Sequence, residues 1–238
     1  MRRKIGSMGL SLVAVLLVGG IATASASAAK FEAEPSFPVN FTASGSAGLL
    51  QTAKGRTVAC QNSAGSGAVA GASAVSGVEV TFTGCFAEGI KPLECTTAGQ
   101  ASGVIKTKAI KGTPVDIDKA HTKAGILLEP EEAGGLFAEF NCKLGAAVNE
   151  TLKVKGSIIA KVKDTDLNVF TKELHLELLA VKGSPVVSQV EETGERHVLL
   201  TEGSGTEVFA AEESGIQEAV PGTTTTSALE GKKIKLVP

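Results

Sequence analysis

Apolar and polar residues alternate in short runs along much of this chain. Val78–Thr83 reads VEVTFT and stops at Gly84, the pattern of a half-buried strand. Val104–Ile110 lies between Gly103 and Gly112. Gly125–Glu129 ends at Pro130, and a turn is predicted over Glu131–Gly135. Leu136–Cys142 resumes strand character, and Leu152–Lys163 reads as a long strand interrupted at Gly156, where a bulge is expected. Leu174, Leu176 and Leu178 fall on one face of a further strand, with His175 and Glu177 on the other and His175 expected to face solvent. Arg196–Thr201, Thr206–Ala211 and Lys233–Val237 complete the series. No long stretch of the mature chain carries a 3.6-residue period, so at most one or two short helices are expected there. The predicted class is all-β, an antiparallel β-sandwich or barrel, following an N-terminal signal-peptide helix.

Two segments lack this alternation. Ala29–Pro38, with two prolines, reads as an extended arm, and Thr42–Ser76 is so rich in Gly, Ala and Ser that only loosely specified strands and loops are expected. The N-terminus follows another pattern. Arg2, Arg3 and Lys4 precede an apolar core over Leu10–Val18, and Ala24-Ser-Ala26 and Ala26-Ser-Ala28 supply small-residue cleavage sites. That order predicts a secretory signal peptide over residues 1–28, because the apolar run is too short for a membrane span and ends in a processing site. Residues 29–238 are then a single β-rich secreted domain, extracellular or at the cell surface, without a membrane span, a lipidated cysteine at the cleavage site or a C-terminal anchor pattern.

Composition narrows the partners. Loss of the three signal-peptide cations leaves 20 basic against 25 acidic residues, a net charge of −5, which disfavours nucleic acid. Nine Phe with no Trp or Tyr argue against sugar-stacking clefts and against the aromatic girdles of outer-membrane barrels. Between Gly183 and Gly231 nine Glu face one cation, Arg196. A solvated face on the last hairpins is the expectation there, with a weak cation-binding surface as the alternative.

Candidate chemistry is sparse. Cys60, Cys85, Cys95 and Cys142 form an even set in a secreted chain and imply two disulfides, and the absence of a closely spaced pair argues against zinc. Three connectivities are open, of which Cys85–Cys95 with Cys60–Cys142 is favoured by spacing. His121 falls in a loop beside Lys119 and Lys123, His175 on a polar strand face, and His197 at a strand start beside Arg196, none with a motif neighbour. No G-x-S-x-G is present. Gly65–Ala70 fits a relaxed dinucleotide fingerprint but lacks its strand and helix context, so a flexible turn is expected. Asp164–Asn168 opens like a calcium loop, but Val169 and His175 stand where glycine and an acid are needed. It and Asp116–Asp118 read as turns. No catalytic residue, metal ligand or cofactor is assigned.

The runs VTFTGC at Val80–Cys85, CT at Cys95–Thr96, GVIKT at Gly103–Thr107, FAEFNC at Phe137–Cys142 and VKGSII at Val154–Ile159 resemble a group of secreted proteins of high-GC Gram-positive bacteria. The resemblance covers roughly Cys60 to Phe170. It implies secretion and a β-rich fold, and carries over no functional residue because the group has no established activity. Three functional readings follow. The first is a non-enzymatic structural or interaction protein, whose partner would be the cell-envelope surface or another protein. The second is a hydrolase with a spatially assembled site. The third is a carrier of a small apolar ligand inside a barrel.

Overall fold

The computed structural model describes residues 29–88, 93–145, 147–163, 165–191, 193–206, 208–218 and 225–238; the signal-peptide segment 1–28 lies outside them. Among the described residues there are strands and turns but no helix.

The strands assemble into one long up-and-down barrel of eight staves. β1 (Lys30–Glu34) stands apart. The first stave is β2 (Val39–Gly45) continued by β3 (Gly48–Thr52), and the second is β4 (Thr57–Cys60) continued by β5 (Asn62–Gly71). The third is β6 (Ala74–Thr83) with β7 (Phe86–Ala87). The fourth runs through β8 (Leu93–Thr96), β9 (Val104–Lys106) and β10 (Ile110–Asp116). The fifth joins β11 (Ala124–Pro130) to β12 (Leu136–Leu144), and the sixth joins β13 (Val148–Gly156) to β14 (Ile158–Val162). The seventh is β15 (Glu173–Glu177), then an excursion bearing the small hairpin β16 (Ala180–Val181) and β17 (Ser184–Pro185), then β18 (Leu199–Gly205). The eighth is β19 (Phe209–Glu218) with β20 (Thr225–Leu229), and β21 (Lys233–Val237) returns to pair with β1.

Each stave crosses from one ring of strands into a second. β2, β5, β6, β10, β11, β14, β15 and β20 form the lower ring, closed where Ile110 and Gly112 of β10 meet Val78 and Val75 of β6. β3, β4, β7, β8, β12, β13, β18 and β19 form a closed upper barrel. The crossings are short: Gln61 alone separates β4 from β5, and Ser157 alone separates β13 from β14. Such links cannot reverse the chain, so the rings stack end to end and share one hydrophobic cluster. The eighth stave returns to the first through Ser214↔Thr52 above and Phe41↔Leu229 below.

The alternation read from the sequence matches this arrangement where apolar residues are large. Val78–Thr83 lies in β6, Leu136–Cys142 in β12, and Leu174, Leu176 and Leu178 all face the lower bore. The choice left open between sandwich and barrel resolves to barrel. Other expectations are corrected. Thr42–Ser76 forms long paired strands rather than loose ones, because close backbone approach substitutes for side-chain pattern: a Cβ on Gly67 would lie 2.8 Å from the Phe41 ring. Gly65–Ala70 is the interior of β5, not a turn. The interruption at Gly156 is no bulge but the crossing between rings, and its φ of +95° with Val198 O 2.3 Å from any added Cβ requires glycine. Val104–Ile110 splits between β9 and β10.

The cysteine pairing is also corrected. Cys60 bonds Cys85 and Cys95 bonds Cys142, not Cys85 with Cys95. Cys95 and Cys142 are direct register partners on β8 and β12, whereas Cys85 and Cys95 are joined only through the backbone, Cys95 N–H donating to Cys85 O. The bridges thus tie the second stave to the third and the fourth to the fifth. Replacing Cys95 and Cys142 together by Ala should lower stability by about 2–5 kcal/mol, read as a shifted urea midpoint. Non-reducing peptide mapping should recover the Cys60–Cys85 and Cys95–Cys142 peptides and no Cys85–Cys95 peptide.

Candidate functional site

Eight strands enclose a bore just wide enough to be filled by side chains or to hold one small ligand. Here it is incompletely filled. The lower ring contains an apolar cavity of about 140 Å³. Large side chains wall it: Phe31, Phe41, Phe82, Phe137, Leu174 and Leu229. The empty volume lies beside a stretch of the first two staves that supplies small residues, Ala43, Gly45, Ser63 and Gly65, although Phe41 and Val69 of the same strands also line it. No charged residue lines it. Its size is close to that of an engineered cavity of roughly 150 Å³ that stays dry and accepts benzene or xenon.

The cavity is stoppered at both ends. Below, the β1–β21 ribbon places Phe31 and Ile234, each 1% exposed, against the mouth of the lower ring. The ribbon is fastened by Phe31 N–H donating to Ala72 O, by the 2.7 Å Lys235–Glu32 ion pair, and by Lys232 Nζ donating to the carbonyls of Ser36 and Pro38. Above, Phe82, Thr107, Phe137 and Ile216 separate the cavity from a smaller one of about 50 Å³ in the upper barrel.

The top of the upper barrel is polar. Ser214 and Glu212 share a strand face with Ile216, at two-residue spacing. Thr201 Oγ1 and Ser214 Oγ lie 2.8 Å apart, both residues buried. Glu212, with a side chain 3% exposed, accepts from Arg56 at 2.9 Å and pairs with Lys54 at 3.1 Å, while the Arg56 guanidinium sits 4.2 Å from the Phe209 ring centroid. Burial pushes the Glu212 carboxyl upward, but Lys54, Thr52 and Arg56 together outweigh it and hold the group below its ordinary value of 4.5. Glu213 is likewise held down, chiefly by its hydrogen bond from Arg196. Glu202 pairs with Lys155 at 2.8 Å. The cations answering this acidic stretch come mostly from distant parts of the chain. Among the described residues no cluster of three or more His, Cys, Asp or Glu is placed to hold a metal ion.

The histidines, which have no motif neighbour in the sequence, each meet a side chain in space, but neither cavity in the bore is lined by one. His197 is buried, 7% exposed, with Nδ1 2.9 Å from Ser157 Oγ. His121 Nδ1 lies 2.6 Å from Oδ2 of fully buried Asp116. His175 Nδ1 is 3.3 Å from Thr226 Oγ1. The Ser157–His197 pair sits at the stave crossing, where Ser157 N–H donates to Val198 O. No pattern in the sequence marks it, since 40 residues separate the two side chains. No carboxylate among the described residues hydrogen-bonds His197, and the pair lines neither cavity of the bore. Asp118 caps its loop as expected, accepting from Thr122 and Lys123 N–H. The Asp164–Asn168 turn falls partly outside the described residues.

No protein-family model matches the chain, and no curated protein and no solved structure matches it either.

The Glu212 cluster sets an acid dependence. A carboxyl depressed in the fold contributes stability above its unfolded value of about 4.5 and loses it as pH falls through the folded value. Urea midpoints measured across this range should therefore fall with acidification. Glu212→Gln should be less stable than the parent near neutrality, with the gap narrowing in acid. A gap that does not change with pH would refute the assignment.

Proposed function

We propose that this is a secreted, non-enzymatic barrel that holds a small apolar molecule in its lower ring. The observation carrying this reading is the stoppered, uncharged cavity of about 140 Å³ walled by Phe and Leu. A purely structural role gives no reason for a void, because empty apolar space forfeits packing contacts at roughly 24 cal/mol per Å³. Leaving the bore open is a stability cost that an occupant offsets. The two buried disulfides are those of an oxidising environment. The basic–apolar–small-residue order of residues 1–28 supports export as the route there. An exported carrier or sensor of a small hydrophobe fits these features. Contact with the cell envelope remains compatible with it, and a hydrolase is the weaker reading because the histidine pairs stand away from the bore.

Toluene is a suitable probe. At ten times its Kd it should stabilise the protein by about 1.4 kcal/mol, a rise in Tm of roughly 3–6 °C for a chain of this size. Ala43→Leu places extra volume into the cavity from β2 and should abolish the toluene shift while leaving the far-UV spectrum unchanged. Equal shifts in parent and variant would place toluene elsewhere, and no shift in the parent would remove the carrier reading.

A further inference from the structure

The cavity is apolar in its walls but not at its upper end. Ser63, Thr225 and Ser227 contribute hydroxyls there. They belong to two strands, β5 and β20, that flank β2: Ser63 pairs with Gly45 across β5 and β2, and Ser227 pairs with Ala43 across β20 and β2. Two-residue spacing sets Thr225 and Ser227 on the same inward face of β20. Gly45 brings the hydroxyls together. A Cβ at that position would meet Ser63 Oγ at 2.5 Å and Thr225 Oγ1 at 2.9 Å, so both oxygens crowd over one backbone carbon and a single ligand oxygen can reach both.

Thr107, also on the cavity wall, accepts from Val80 N–H at 3.0 Å. The hydroxyls of Ser63, Thr225 and Ser227 bond no other side chain among the described residues; Ser227 is buried, and Ser63 and Thr225 are half-buried. A hydroxyl that lines a cavity without a side-chain partner is free to donate to or accept from whatever the cavity holds. Three together at one end of an otherwise apolar chamber point to a partner that enters with the ligand.

Resting on the reading of the cavity as a ligand site, we propose that its occupant is a single small ring carrying one hydroxyl or carbonyl group. The ring fills the space between Phe41 and Leu174, and its oxygen bonds the Ser63–Thr225 pair. A plain hydrocarbon would fit but leave the hydroxyls unanswered.

Phenol and toluene separate the two claims, since they match in shape and differ in the polar atom. Calorimetric titration of the full mature chain should show that the double substitution Ser63→Ala with Thr225→Val weakens phenol roughly three- to tenfold and changes toluene less than twofold. Toluene binding serves as the check that the variant is folded. If the double variant loses toluene as well, Ser63→Ala alone, which removes one atom, replaces it. Phenol and toluene weakened alike, or phenol unchanged, would show that the hydroxyls are satisfied by water and overturn the proposal while the apolar site stands. Failure of both probes on the parent protein would overturn the carrier reading and this inference with it.

Discussion

The antiparallel closure of the eighth stave on the first governs this structure. Until β19 finds β3 and β20 finds β2, the sheet has two open edges and no interior. Once it closes, every strand residue is assigned to a bore or to an outer face, and the volume inside is whatever the inward side chains leave. The walls are rich in Phe, Leu, Ile and Val on most staves. On the first two, Phe41 and Val69 aside, they are Ala, Ser and Gly. The cavity follows directly from that asymmetry, as does the tight contact of Phe41 with Gly67.

Much of the fold was legible from alternation, and the illegible parts have physical causes. Val78–Thr83 and Leu174–Leu178 advertise one buried face because their inward residues are large. Thr42–Ser76 does not, since Gly, Ala and Ser differ little in hydrophobicity between faces. Yet this segment shapes the candidate site, and its register is imposed by neighbours on both sides of β2 and β5. The composition that conceals the strands is the same composition that empties the bore. Pairing of the cysteines was equally hidden. Sequence distance favours a short loop between Cys85 and Cys95, but strand register decides the matter and sets Cys142 opposite Cys95.

Charge tells a similar story. The run of Glu between Gly183 and Gly231 suggests a solvated acidic surface when read linearly. In the barrel, strand pairing carries β19 beside the first stave, so Glu212 meets Lys54 and Arg56 from the turn after β3, and it becomes part of a buried polar plug. The upper barrel is therefore sealed by ion pairs and hydroxyls, the lower by an apolar ribbon. The two ends differ in what would loosen them: acid at one, loss of hydrophobic contact at the other.

The ribbon joins Lys30–Glu34 to Lys233–Val237, the first and last strands described. The floor of the chamber is thus made from strands about 200 residues apart in sequence, and β21 is made after every other described strand of the barrel. A growing polypeptide has no closed chamber until β21 has been made and has met β1. Such non-local pairing is slow to form, and it makes the vessel and its stopper a single cooperative event.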